Sequence, residues 1–296
     1  MEPMATLEHT TRVAELRAGM EVEGVFACTR KDRLTAKNGS PYLAVELRDR
    51  TGAIQARAFR AADFLAGQFE RGDLVTARGR VERFRDELQM DLHSIRRAEG
   101  ADPAAFLPTA YRDLDELDGF LEHLAREVYD PDLRALLDAF LSDEGFRQEL
   151  RRAPCTRSGH HAYLGGLLEH TVAVATLAFE TCSLHPRLNS DVLISAAILH
   201  DIGKTREFSL GAEIGLSEAG AMIGHVALGQ QLLVEREARL DAFPEEKLHA
   251  VSHCLLAHHG AESLPGRRFR SAEALALFRL NALDAGVKGA LEHGLA

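Results

Sequence analysis

The chain has 296 residues, 27% of them charged and 46% hydrophobic, a balance that excludes disordered and fibrous classes and a length that predicts two globular domains. A net charge of −10 excludes indiscriminate nucleic-acid binding by the whole surface, and no run approaches the ~18 apolar residues of a membrane span. The acid is unevenly placed: 15 Lys and Arg stand against 12 Asp and Glu between Gly19 and Ala98, but 18 against 30 from Glu99 onward.

Met1 to Gly19 is charged and lacks the apolar centre of a signal peptide, which predicts a cytoplasmic protein. Cys28, Cys155, Cys182 and Cys254 are widely spaced, so neither a zinc ribbon nor a disulfide framework is expected. From Met20 to Arg97 the periodicity is that of strands. Glu21 to Ala27 and Pro41 to Arg48 are separated by the turn signal Lys37-Asn38-Gly39-Ser40, and Asp49-Arg50-Thr51-Gly52 leads into a hairpin partner, Ala53 to Phe59. A short helical piece, Ala61 to Phe69, precedes strands over Asp73 to Glu82 and Glu87 to Leu92. Three strands, a helix and two strands give the order of an OB-fold barrel. In Asn38-Gly39-Ser40-Pro41-Tyr42-Leu43 and Leu47-Arg48-Asp49-Arg50-Thr51-Gly52 the stretch resembles the nucleic-acid-binding OB-folds, a resemblance that implies single-strand binding by rings and basic residues, with Arg30, Lys31, Arg33, Lys37, Tyr42, Arg57, Phe59, Arg83 and Arg85 as the candidates. Phe26, Phe59 and Phe84 are expected in the barrel core rather than on a stacking platform.

Two prolines and a loss of periodicity between Ala98 and Thr109 mark a linker, dividing the chain into residues 1–100 and 101–296. Beyond it the pattern is helical. Leu114 to Val128 and Leu133 to Leu141 have amphipathic spacing, and further helices are predicted over Tyr163 to Cys182, Ser190 to His200, Ser217 to Leu240, Pro244 to Ala257 and Ser271 to Val287. The expected architecture is an N-terminal all-β OB-fold barrel followed by an all-α helical bundle.

Ten of the fourteen histidines lie between His160 and His259, mostly on otherwise apolar helix faces. One such histidine is ordinary core, whereas several on successive helices fit convergence on a divalent transition metal, whose preferred ligands are neutral imidazole and carboxylate. The apolar helix Ala196 to Leu199 runs straight into His200-Asp201, an adjacent imidazole and carboxylate that are costly to bury without a partner.

With Gly203 and Lys204 following, and His170 thirty residues earlier, this pair resembles the signature of the HD-domain phosphohydrolases. The strings His160-His161-Ala162-Tyr163-Leu164-Gly165-Gly166-Leu167-Leu168-Glu169-His170-Thr171, Ile198 to Thr205, Gly224-His225 and Ala257-His258-His259-Gly260, behind an OB-fold, resemble the YhaM-type 3′-5′ exoribonucleases. That resemblance implies His170, His200 and Asp201 as metal ligands, Asp201 bridging two ions, with His225 and His258 completing a second site. His259 is a ligand or an orienting group. Lys204 offers charge to a phosphate oxygen, and His161 and Tyr163 line the substrate side, so Asp201, Lys204 and His161 are the catalytic candidates. The last helix departs from the family pattern: the expected carboxylate falls on Asn281, with Asp284 one turn further on. The implied cofactor is one or two divalent ions, manganese first, with magnesium, iron, cobalt, nickel and zinc also compatible. The implied reaction is hydrolysis of single-stranded RNA, or DNA, from its 3′ end. The competing readings are a phosphohydrolase of nucleotides or small phosphoesters, and a nucleic-acid-binding protein whose centre has weakened.

Overall fold

The computed structural model describes residues 12–36 and 39–294, so Lys37 and Asn38 of the first turn signal lie outside the described residues. The chain divides into two units, one reaching to Pro108 and taking in Leu210–Ile214, the other formed by Thr109–Ser209 and the residues from Gly215 onward.

In the first unit, β1 (Glu21–Thr35), β2 (Pro41–Asp49), β3 (Gly52–Ala58), β4 (Leu74–Phe84) and β5 (Glu87–Arg97) close a barrel in the order β1-β2-β3-β5-β4, with α1 (Ala62–Ala66) between β3 and β4. This is the OB-fold order. Alternation puts Leu43, Val45 and Leu47 of β2 and Ile54, Ala56 and Ala58 of β3 inside, where they join Phe26, Met90 and Ile95. The β2–β3 turn is fixed by Asp49, whose Oδ1 accepts from Thr51 N (2.7 Å), Thr51 Oγ1 (2.7 Å) and Gly52 N (3.1 Å). Closure needs a strand with two partners: β1 pairs with β4 along Glu21–Ala27 and with β2 beyond, and its register shifts between Cys28 and Arg30. At Gly79 a Cβ would lie 2.2 Å from the Asp91 carbonyl oxygen, so glycine there lets β4 and β5 close up where their own register shifts.

The second unit holds α2 (Leu114–Arg126), α3 (Pro131–Leu141), α4 (Glu144–Arg152), α5 (Gly166–Leu184), α6 (Ser190–Leu199), α7 (Lys204–Glu207), α8 (Glu218–Glu237), α9 (Glu245–Ala257) and α10 (Ala272–His293), and between α7 and α8 the chain forms a two-stranded hairpin, β6 (Phe208–Leu210) and β7 (Ile214–Leu216), whose tip Leu210–Ile214 is counted with the first unit. Asp113, Asp130, Asp143 and Asn189 cap α2, α3, α4 and α6 through their side chains, satisfying backbone donors that helix starts leave free. The central element is α6. Every residue from Val192 to Leu199 is buried, and the helix packs on α2, α3, α5, α9 and α10. Its C-terminal end therefore delivers His200 and Asp201 into the interior.

Three features depart from the all-helix expectation. A short hairpin stands between α7 and α8, where no helix is predicted but an all-α unit is expected. The nine residues of α4 bury only Phe146 and Leu150, too few to announce a helix by period. The helix expected over Ser217 to Leu240 is broken at Gly224, whose φ of 70° and ψ of 167° no α-helix contains.

Candidate metal centre

Six side chains from four helical segments meet at the end of α6. His170 comes from α5, His200 and Asp201 from the α6 terminus, His225 from just past the break in α8, and His258 and His259 from the end of α9. On one side of the Asp201 carboxylate, Oδ2 lies 3.5 Å from His170 Nε2 and 3.3 Å from His200 Nε2, which are 3.2 Å from each other. On the other side, Oδ1 lies 3.3 Å from His258 Nε2 and 3.6 Å from His225 Nε2, with His259 Nε2 2.9 Å from His225 Nε2. Nitrogen donors held ~2.0–2.1 Å from one tetrahedral ion stand about 3.3 Å apart, so both groups have the spacing of a ligand set.

The opposite ring nitrogens fix which atoms face inward. His200 Nδ1 meets the Ala197 carbonyl at 2.8 Å and His258 Nδ1 the Leu255 carbonyl at 2.5 Å, both acceptors only, so each Nδ1 donates. His170 Nδ1 is 2.6 Å from Asp284 Oδ2, and His225 Nδ1 is 3.1 Å from Glu207 Oε1. Each Nε2 is left with a lone pair turned toward Asp201. Carboxylate or carbonyl behind imidazole is the arrangement that orients metal-bound histidine. Two of the convergent atoms, Asp201 Oδ1 and His258 Nε2, are buried without a hydrogen-bond partner, the state a cation would relieve.

Electrostatics agree. Burial pushes the His200, His258 and His259 imidazoles down, His259 to about 3 with help from His258, which keeps them neutral and able to coordinate. Burial alone would raise the Asp201 carboxyl, but the Lys204 ammonium beside it holds it well below the usual carboxylate range. Lys204 Nζ donates to Asp201 Oδ2 at 2.6 Å. These residues fit one or two divalent cations sharing Asp201.

The last helix supplies a carboxylate, but from Asp284. Asn281, the expected amide ligand, is buried and donates Nδ2 to the His258 carbonyl at 3.2 Å, bracing the end of α9. Asp284 Oδ2 holds His170 and also lies 3.2 Å from His161 Nε2. His161, expected on the substrate side, is 1% exposed: its Nδ1 is 2.9 Å from Tyr163 Oη, and that hydroxyl donates to Glu169 at 2.8 Å. With both ring nitrogens engaged and almost no exposed surface, His161 supports Asp284 from behind. Lys204 is 5% exposed and bound to Asp201.

On the barrel, Tyr42 and Phe59 stack with centroids 5.2 Å apart and planes 25° from parallel. The Arg57 guanidinium lies 5.9 Å from the Tyr42 centroid and 5.7 Å from that of Phe84, over which Arg85 also sits at 5.3 Å. Phe26 is core, whereas Phe59 and Phe84 are half exposed, a cost in water that a stacking ligand removes. Arg57, Arg83 and Arg85 have no ion pair among the described residues. Arg30, Lys31 and Arg33 are instead paired with Asp32, Glu70 and Asp63, and they do not join the ring cluster. Lys37 lies outside the described residues.

Residues 167–286 match the HD domain family model, and residues 25–98 match that of the OB-fold nucleic acid binding domain. The helical unit carries an HD domain. The 3′-5′ exoribonuclease YhaM of Oceanobacillus iheyensis is 29% identical over 245 residues, 82% of this chain and 76% of the relative. That of Listeria innocua is 26% identical over 254 residues, 84% of this chain and 80% of the relative. Among solved structures, the second OB-fold domain of replication protein A from Methanococcus maripaludis covers 32% of this chain and 99% of its own at 20% identity and a TM-score of 0.25, too slight a likeness to carry weight. The HD domain binds divalent metal, and the OB-fold is of the nucleic-acid-binding kind. Among the described residues no helix is long and apolar enough to cross a membrane.

Several residues of the HD domain's centre were invisible as such in the sequence. Glu207 lies in a stretch for which no helix or strand is predicted, yet its Oε1 accepts from His225 N at 3.0 Å and also meets His225 Nδ1. Glu169 reads as an acid flanking His170, yet it is buried and pushed down to about 2: burial opposes this, and His161, Lys288 and Tyr163 outweigh it. No spacing rule finds such contacts.

Proposed function

We propose that this protein is a metal-dependent 3′-5′ exoribonuclease acting on single-stranded RNA in the cytoplasm, with one or two divalent ions, manganese first, held by the HD domain. The observation that carries the reading is the single buried carboxylate of Asp201 with inward-facing imidazole nitrogens on both of its oxygens. His170, His200 and Asp201 would hold one ion, and Asp201, His225, His258 and His259 the other. Divalent metal there acidifies water and offsets charge on the non-bridging and leaving oxygens of a phosphodiester. The chain's own groups do the rest. Asp284 and Glu207 fix the rings of His170 and His225, Lys204 supplies a permanent positive charge beside Asp201, and the Tyr42, Phe59 and Phe84 rings with Arg57 and Arg85 stack bases and meet phosphates of a single strand. The names of the relatives support the direction of attack and the choice of RNA.

The test is incubation of 5′-labelled single-stranded RNA with the protein and each divalent ion in turn. A ladder shortening from the 3′ end is expected with manganese. Turnover confined to mononucleotides or small phosphoesters, or RNA binding without shortening in any metal, would overturn the reading.

A further inference from the structure

The segment joining α9 to α10 is held in one course. Leu264 is buried in the helical core, Ser263 Oγ donates to the Leu256 carbonyl at 2.8 Å, Arg267 N to the Leu264 carbonyl at 3.0 Å, and Arg270 N to His253 Nε2 at 3.0 Å. From Leu264 to Ser271 this run has three arginines and no carboxylate, in a part of the chain with 18 basic residues against 30 acidic. Rings stand among the charges. Phe269 stacks on Phe278 of α10 with centroids 5.6 Å apart and planes 29° from parallel, and the Arg279 guanidinium lies 5.0 Å from the Phe278 centroid. Arg279 also lines a cavity of about 490 Å³, together with Arg187 and the apolar side chains of Leu188, Leu275 and Ala276.

A lone exposed arginine is ordinary solvated surface, and many arginines of this unit are neutralised: Arg112, Arg126, Arg147, Arg151, Arg206 and Arg236 each pair with a carboxylate. Arg187, Arg267, Arg268, Arg270 and Arg279 are exposed and have no ion pair among the described residues. Glu273, the acid that opens α10, is taken up elsewhere, its Oε1 accepting from Asn189 N at 2.8 Å. Five like charges beside one ring pair and one apolar hollow repel one another, a repulsion that a polyanion relieves and a neutral partner does not.

We propose that these five arginines, with the Phe269–Phe278 pair and the adjoining cavity, form a second single-stranded RNA surface that belongs to the HD unit itself. The choice of RNA rests on the function proposed above. A planar guanidinium donates two parallel bonds to a phosphate and also lies over rings and bases, as Arg279 does over Phe278. The cavity falls within the ~300–1,000 Å³ of small-ligand sites, room for one unstacked base against Leu188, Leu275 and Ala276, with Arg187 and Arg279 at hand for its phosphate. The unit that cleaves then has a grip of its own on the strand.

The experiment measures binding of a fluorescent single-stranded oligoribonucleotide to the full-length protein by anisotropy, in chelator so that no cleavage intervenes, over a range of potassium chloride. For single strands each neutralised phosphate adds about 0.7 to the slope of log affinity against log salt. The combined Arg267→Gln, Arg268→Gln and Arg270→Gln variant is expected to lower that slope by about 2 at an unchanged thermal midpoint. The same loss of charge in a combined Arg112→Gln, Arg126→Gln and Arg239→Gln control should leave the slope as it is. In the unmodified protein, which needs no variant to fold, RNA carrying photoreactive thiouridine should crosslink to peptides containing Phe269 or Phe278, and excess adenosine monophosphate should not suppress this. An unchanged slope in the first variant, an equal fall in the control, or no crosslink to these peptides would overturn the inference and leave the exoribonuclease reading standing. Suppression by the mononucleotide would also overturn it, marking a site for free nucleotide instead of a strand. No RNA binding by the unmodified protein would overturn both.

Discussion

The imidazoles of His170, His200, His225 and His258 each have Nδ1 engaged by a fixed partner, so the partner, as much as the ring, decides whether the other nitrogen is free to coordinate. Asp284 is the clearest case, because its carboxylate faces both His170 and His161. Asp284→Asn keeps an acceptor of the same size but removes the charge, and metal affinity measured by calorimetric titration is expected to drop ~10–100-fold. An unchanged affinity would show that His170 needs no charged partner. Buried His160 and His259 shape the acid response of the metal-free protein. In the unfolded chain they titrate near 6.5, whereas burial holds His160 neutral down to about 4 and His259 down to about 3. Between those values the unfolded state binds more protons, so stability falls as pH drops from about 6.5 and these groups stop contributing only near 4 and 3. Glu169, depressed to about 2, adds stability that is present above about 4.5 and lost as pH falls toward 2. Thermal unfolding of the metal-free protein across pH 3 to 7 checks the sign: a midpoint that is flat or rises on acidification would contradict it.

At the scale of elements, the second ligand group depends on how closely α7 approaches α8. A Cβ on Gly203 would lie 2.0 Å from the His225 carbonyl oxygen and 2.4 Å from Gly229 N, both backbone atoms that cannot swing aside. Gly203→Ala is therefore expected to cost ~1–3 kcal/mol of unfolding free energy and to displace His225, weakening metal binding on that side of Asp201. Denaturant unfolding with cation titration measures both, and wild-type values for both would show that the elements have slack there. This contact also marks how far the sequence could be read. The barrel strands, the helices with sustained apolar spacing and His170, His200, Asp201, His225, His258 and His259 were all legible, because alternation, three-four spacing and polar interruption of apolar faces are local signals. The break at Gly224, the β6–β7 hairpin, the use of Asp284 beside a buried Asn281, and the return of Glu207 to His225 were not. The last two are decided by partners distant in the chain, and Glu207 is 18 residues from the ring it orients.

On the whole molecule, the charge asymmetry of the sequence acquires a meaning. The acidic half carries a centre built for cations, and the basic half carries exposed rings and unpaired arginines suited to a polyanion with stacking bases. Replacing Tyr42, Phe59 and Phe84 together by alanine is expected to weaken binding of single-stranded RNA by ~1–3 kcal/mol for each base that stacks. The thermal midpoint should hold because Phe59 and Phe84 are half exposed already. Fluorescence anisotropy with labelled oligonucleotides reads the affinity, and wild-type affinity in the triple variant would remove the rings from the interface. The central claim is that Asp201 organises a metal centre that removes nucleotides from RNA 3′ ends. Its most direct test offers linear and circular forms of one RNA sequence to the wild-type protein and to Asp201→Asn with manganese. Shortening of the linear RNA alone, abolished in the variant together with bound metal, is the predicted result. Cleavage of the circle, or undiminished shortening by Asp201→Asn, would contradict it.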